Sequence, residues 1–210
     1  MRTKGADGCR QIPRVPFPLT SEGRPSGHEP RALSNGVELT AAPRADLFLD
    51  PGGFDVAPDA ERFVAPVSGD FQLSALVSVN FHSTFDSGVL IGYVDESTWF
   101  KICAELDPAG VPRVVSVVTR GGASDDSNGS PLSQAGAHLR IARLGRAFAL
   151  HTSHTGESWS LVRYFSLGVP DDRPIKIGML AQSPTGEGTA VRFEDVHFST
   201  DRLMDVRDGS

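Results

Sequence analysis

Between residues 71 and 81 the chain alternates almost without a break. Phe71, Leu73, Ala75, Val77, Val79 and Phe81 are apolar, while Gln72, Ser74, Ser78 and Asn80 between them are polar, Leu76 being the exception. A two-residue rhythm sends one set of side chains to a core and the other set away from it, so this stretch reads as a half-buried β-strand. Pro66, Ser68, Gly69 and Asp70 supply the turn before it. Short apolar runs separated by turn residues follow at 89–94, 99–106, 114–119, 138–144, 147–151, 159–165, 175–181 and 190–198, with 37–41 and 47–49 as expected edge strands. Runs 89–94 and 99–106 form a hairpin, and Gly145-Arg146 is a tight connection in which glycine supplies a positive φ. Residues 120–136 read as a long loop. No stretch of helical period is long enough for the crossover a parallel sheet requires. The expected fold class is therefore all-β, a two-sheet antiparallel β-sandwich or jelly roll.

Such a sandwich fits the 210 residues as one domain, since 39% hydrophobic content can fill a single core. The expected domain spans 37–200, with a tail at 201–210. Residues 1–36 combine Pro13, Pro16, Pro18, Pro25 and Pro30 with Gly5, Gly8, Gly23 and Gly27, a composition expected to be disordered or loosely attached. The net charge of −6 gives no electrostatic reason to bind duplex nucleic acid or an anionic membrane. The first residues lack the apolar core of a secretory signal, and no apolar run of about 18 residues occurs later, so a cytoplasmic location is expected. Cys9 and Cys103 stand in unlike contexts, so neither a disulfide nor a metal is implied, and no cofactor is expected.

Several segments carry a family resemblance. They are Phe85-Asp86-Ser87-Gly88-Val89-Leu90, Trp99-Phe100-Lys101-Ile102-Cys103-Ala104-Glu105, Ser116-Val117-Val118-Thr119, Ser124-Asp125, and Gln182-Ser183-Pro184-Thr185-Gly186-Glu187-Gly188. As an ordered set they resemble the concanavalin A-like family of unknown function that includes the yeast protein named regulation of enolase protein. The resemblance covers roughly residues 39–198 by motif order. It implies a two-sheet jelly roll with one concave face and leaves the activity open. One position departs from it: Asp126 follows the Ser124-Asp125 pair where the resemblance leads one to expect an aromatic.

Period two places Trp99, Lys101, Cys103 and Glu105 on one strand face and Phe100, Ile102 and Ala104 on the other. The apolar trio is the inward set. Trp99, Lys101 and Glu105 then offer a stacking surface, a donor and an acceptor, the combination that sugar recognition needs. An ion pair on a solvated sheet beside a partly buried tryptophan accounts for the same residues equally well. Tyr93, Thr119, Ser124, Asp125 and Glu187 are the further candidate ligand contacts. The oxygens of 124–129 would suit a hard cation, but without EF-hand spacing they read equally as turn residues. Retaining glucanases of similar fold hold two carboxylates about 5–5.5 Å apart, yet no Glu-x-Asp-x-x-Glu motif occurs, and no Gly-x-Ser-x-Gly elbow is present. The leading expectation is a non-catalytic module that binds carbohydrate or another small polar ligand on a concave sheet face. Its alternatives are a regulatory module with a protein partner, suggested by the family resemblance, and a glycoside hydrolase. Neither nucleic acid nor membrane is an expected partner.

Overall fold

A computed structural model of the chain describes residues 9–10, 17–53, 59–132 and 136–210, and every named element in them is a β-strand. Two antiparallel sheets pack face to face. One runs, in spatial order, β1 (Cys9–Arg10), β2 (Leu19–Glu22), β5 (Arg62–Val67), β14 (Ile175–Gln182), β7 (Ser87–Asp95), β8 (Thr98–Leu106), β9 (Pro112–Arg120) and β10 (Ala123–Pro131). The other runs β13 (Ser160–Ser166), β12 (Ala147–Ser153), β11 (Gly136–Leu144), β6 (Phe71–Val79), β15 (Ala190–Ser199), β4 (Gly36–Thr40) and β3 (Arg31–Ala32). No helix among the described residues is long and apolar enough to cross a membrane.

The alternation at 71–79 builds the centre of the second sheet. Phe71, Leu73, Ala75, Val77 and Val79 of β6 enter the inter-sheet core with Leu90, Phe100, Ile102, Phe148 and Phe193. Phe100 meets Phe148 with ring centroids 4.9 Å apart and Phe165 at 5.1 Å, tying β8 to β12 and β13 across the sandwich. Each such ring contributes on the order of 2–3 kcal/mol by leaving water.

The eight-stranded sheet is buried on its other face as well. Val89, Ile91 and Tyr93 of β7, Trp99 and Cys103 of β8, and Val115 and Val117 of β9 form a second apolar cluster with Ala42, Ala45, Leu47 and Leu49. These last four belong to an extended strap, residues 41–50, that crosses the sheet. Ala45 O accepts from Ser183 N at 3.0 Å, Leu47 O from Lys101 Nζ at 2.7 Å, and Leu49 pairs with Ser124 through Ser124 N to Leu49 O at 2.8 Å and Leu49 N to Ser124 Oγ at 3.0 Å. Residues 47–49, expected as an edge strand, are therefore strap: their backbone bonds go to side chains and to single residues, not to a ladder.

One further expectation changes, and two segments outside the expected domain pack against it. Residues 120–136 contain β10, which pairs with β9 from Ala123 opposite Arg120 to Pro131 opposite Arg113. The turn between them is Gly121-Gly122, both at positive φ (58° and 83°), the two-residue geometry that suits hairpin twist. Within residues 17–36, Leu19 is 0% exposed in the core, Phe17 packs edge-on to Phe198 at 5.0 Å, and the Glu61 carboxylate accepts from Ser21 Oγ at 2.6 Å and Ser26 N at 2.7 Å. Proline and glycine there punctuate short paired segments. The expectation for residues 1–8 and 11–16 lies outside the described residues. The segment 201–210 is also docked, with Leu203 buried, Gly209 O accepting from Arg140 Nη2 at 2.7 Å, and Val206 O bonded to His151 Nε2 at 2.9 Å.

Candidate functional site

β8 presents Trp99, Lys101, Cys103 and Glu105 to the outer side of its sheet, as the two-residue rhythm expects, but the strap roofs the first part of that row. Trp99 is fully buried beneath it and offers no stacking surface. Tyr93 is buried beside it with the Arg62 guanidinium 4.1 Å from its ring centre. Thr119 and Ser124 are buried and share a 2.8 Å hydrogen bond, and Ser124 Oγ accepts from Leu49 N of the strap. Asp125 points away, into an ion pair with Arg163 at 2.8 Å. Glu187 lies on an exposed loop paired with Arg44 at 3.3 Å. Of the eight residues expected to contact ligand, Lys101 and Glu105 meet in one cavity.

That cavity has a volume of about 330 Å³, at the lower end of small-molecule sites. Its floor comes from Lys101 and Glu105 of β8, Val115 and Val117 of β9, and Gln182 of β14. Asp46, Phe48 and Asp50 of the strap form one wall, because Ala45, Leu47 and Leu49 turn inward and period two turns the alternate residues to the opening. Asp126 of β10, Phe85 and Pro184 complete the rim. Sequence reasoning missed the strap residues, Phe85, Gln182 and Pro184 as site residues. Asp126 now has a place: the departure from the family pattern puts a carboxylate on the rim.

The floor is tightly held. Lys101, 3% exposed, donates to Leu47 O at 2.7 Å and to Gln182 Oε1 at 2.9 Å, while Gln182 Nε2 donates to Asp46 Oδ1 at 2.6 Å. Glu105 is partly buried, and no side-chain hydrogen bond or ion pair engages it among the described residues. Burial first, then the charges of Asp46, Asp126 and Asp107, push its carboxyl up to about 7, against the opposing pull of Lys101. Glu105 therefore exchanges a proton near neutrality. Cys103, a free buried thiol, is pushed far above its ordinary value by burial, which disfavours its thiolate.

Phe85 is held in a costly conformation. Its φ of 68° is left-handed, rare for a bulky residue, and its ring is 39% exposed. Asp86, wholly buried, locks the turn: Oδ2 accepts from His82 N and Ser83 N, both at 2.9 Å, and Oδ1 accepts from Ser183 Oγ at 2.6 Å. Phe85 N donates to Leu106 O at 2.7 Å. The fold thus fixes an apolar ring at the mouth of a polar cavity. A second cavity, about 470 Å³, lies on the other sheet's outer face against His138, Arg140, Trp159 and His197, but there the indole is already covered by the Arg140 guanidinium at 4.3 Å. Among the described residues no group of three or more His, Cys, Asp or Glu is arranged to hold a metal ion.

With this geometry in place, comparison with known proteins places the chain. The sequence profile of a family described as a protein of unknown function, DUF1349, matches residues 25–201, more than half of the chain. The chain belongs to the DUF1349 family. No curated protein sequence matches it. A functionally unknown protein from Saccharomyces cerevisiae has a similar structure, with a TM-score of 0.76 and 21% identity over 88% of this chain and 97% of that one. The GH43 BlXynB protein from Bacillus licheniformis aligns at 0.65 and 11% identity, over 79% of this chain and 33% of that one, so this DUF1349 domain spans about a third of its length. A legume lectin-like domain from Entamoeba histolytica aligns at 0.52 and 10% identity, over 88% and 90%. These likenesses establish a lectin-like β-sandwich for the DUF1349 chain.

Proposed function

We propose that this DUF1349 domain is a non-catalytic module that binds a small saccharide or related polyol in the cavity between the strap and the eight-stranded sheet. The observation that carries the reading is convergence. Asp46, Phe48, Phe85, Lys101, Glu105, Asp126 and Gln182, drawn from five separate stretches of the sequence, face one cavity of about 330 Å³. A pyranose has an apolar C–H face and rigid hydroxyls, and the cavity answers with a fixed phenyl ring and with carboxylate and amide oxygens. A strained backbone at Phe85 is costly in a fold with no use for the ring, which points to a role in contact. A legume lectin-like domain and GH43 proteins share the architecture, which makes saccharides the ligand class to try first.

Calorimetric titration of the folded chain with a panel of mono- and disaccharides tests the reading. At least one panel member binds, and Phe85→Asn, which tolerates the left-handed backbone but removes the ring, weakens it by about 10-fold or more with thermal unfolding little changed. Absence of binding across the panel, with the fold verified by circular dichroism, overturns the proposal. Turnover of aryl glycosides that Glu105→Gln abolishes would instead mark the pocket as hydrolytic.

A further inference from the structure

We propose that the group this pocket distinguishes is a protonated amine, so that it selects an aminated sugar or polyol over neutral and anionic counterparts. The inference rests on the saccharide-site reading above and adds a charge to it. Four carboxylates, Asp46, Asp50, Glu105 and Asp126, line the cavity against one ammonium, Lys101. Several carboxylates elsewhere in the fold meet basic partners: Glu38 lies against Arg31 and Arg192, Asp107 against Arg113, and Asp125 against Arg163. None of the four in the pocket forms an ion pair among the described residues.

Their present partners are neutral. Asp46 accepts from the Gln182 amide at 2.6 Å and Asp50 from Gly52 N at 2.6 Å. Lys101 balances them only in part: its charge favours the Glu105 carboxylate, but its ammonium donates its hydrogen bonds to the Leu47 carbonyl and the Gln182 amide oxygen, and it is one cation against four carboxylates. A uronate or phosphorylated sugar would bring like charge to this surface and is selected against. An ammonium would donate charge-assisted hydrogen bonds to the free carboxylate oxygens and be attracted to the faces of Phe85 and Phe48.

Glu105 supplies a second signature. Its proton is retained near neutrality through burial and the charges of Asp46, Asp126 and Asp107, with Lys101 opposing. A cation entering the pocket favours the carboxylate, so binding at pH 7 releases a proton.

Titration of the full chain at pH 7 compares methyl glycosides of gluco and galacto configuration bearing a 2-amino group, a 2-hydroxyl or a 6-carboxylate, each in two buffers of different ionisation enthalpy. The aminated compound of one configuration binds about 10-fold tighter than its 2-hydroxyl counterpart, with net proton release, and Asp126→Asn, a change at an exposed side chain, removes most of that preference. Equal affinity for the amino and hydroxyl compounds overturns the amine inference and leaves the saccharide reading standing. Tighter binding of the 6-carboxylate overturns it too, and failure of every compound to bind the folded chain overturns both.

Discussion

Trp99 and Glu105 share one face of β8, and the difference between them is what covers each. Trp99 lies wholly under the strap, its indole N–H without a hydrogen-bond partner among the described residues. Its role is to fill space. Trp99→Ala leaves a large cavity and should cost about 3–5 kcal/mol in urea unfolding, whereas a ligand-contacting tryptophan at the mouth would cost far less. Glu105 faces the opening, and burial raises its carboxyl from an ordinary 4.5 to about 7. Between those values the folded chain holds a proton on Glu105 that the unfolded chain has released, so the contribution of this group to stability falls as pH rises through this window. Glu105→Gln removes that contribution. The variant should match the wild type near pH 4.5 and exceed it at pH 8 by on the order of 1–3 kcal/mol, read from denaturant midpoints at the two pH values. The sequence places Lys101 and Glu105 on one face through their spacing. It does not reveal that Trp99 is roofed, because the roof is formed by residues that contact β8 only in the folded chain.

At the scale of elements, the strap and β10 make a site out of a sheet face. The alternation of Ala45, Leu47 and Leu49 with Asp46, Phe48 and Asp50 is visible in the sequence and correctly implies an extended, two-sided segment. Whether such a segment joins a ladder is decided by where its N–H and C=O groups end, and here Lys101 and Ser124 receive them. β10 escaped notice for a related reason. Ser124-Asp125-Asp126-Ser127-Asn128 has the composition of a turn, yet an edge strand needs only backbone pairing on one side, and Gly121-Gly122 supplies its hairpin. Ser124 connects the two elements. Ser124→Ala leaves Leu49 N–H and the Thr119 hydroxyl without their buried partner and should cost about 1–3 kcal/mol. Hydrogen exchange at the Leu49 amide should accelerate well beyond that at the inter-sheet core strands, since loss of the anchor loosens the strap before the sandwich.

On the scale of the whole molecule, two antiparallel sheets bury one core between them and a second, smaller one outside the eight-stranded sheet. The first core was legible from the rhythm at 71–79 and the spacing of the later runs. The second was not, because residues such as Val89, Ile91 and Val117 make β7 and β9 apolar on both faces without saying what lies beyond. The outer core is what gives the pocket a firm floor and wall, and so the proposed ligand is expected there and not on the other sheet. A ¹H–¹⁵N NMR titration of the chain with a saccharide that binds it measures this most directly. Shifts concentrated at Phe48, Phe85, Lys101, Glu105 and Asp126 are expected, whereas shifts confined to His138, Trp159 and His197 on the opposite face would contradict a binding site beneath the strap.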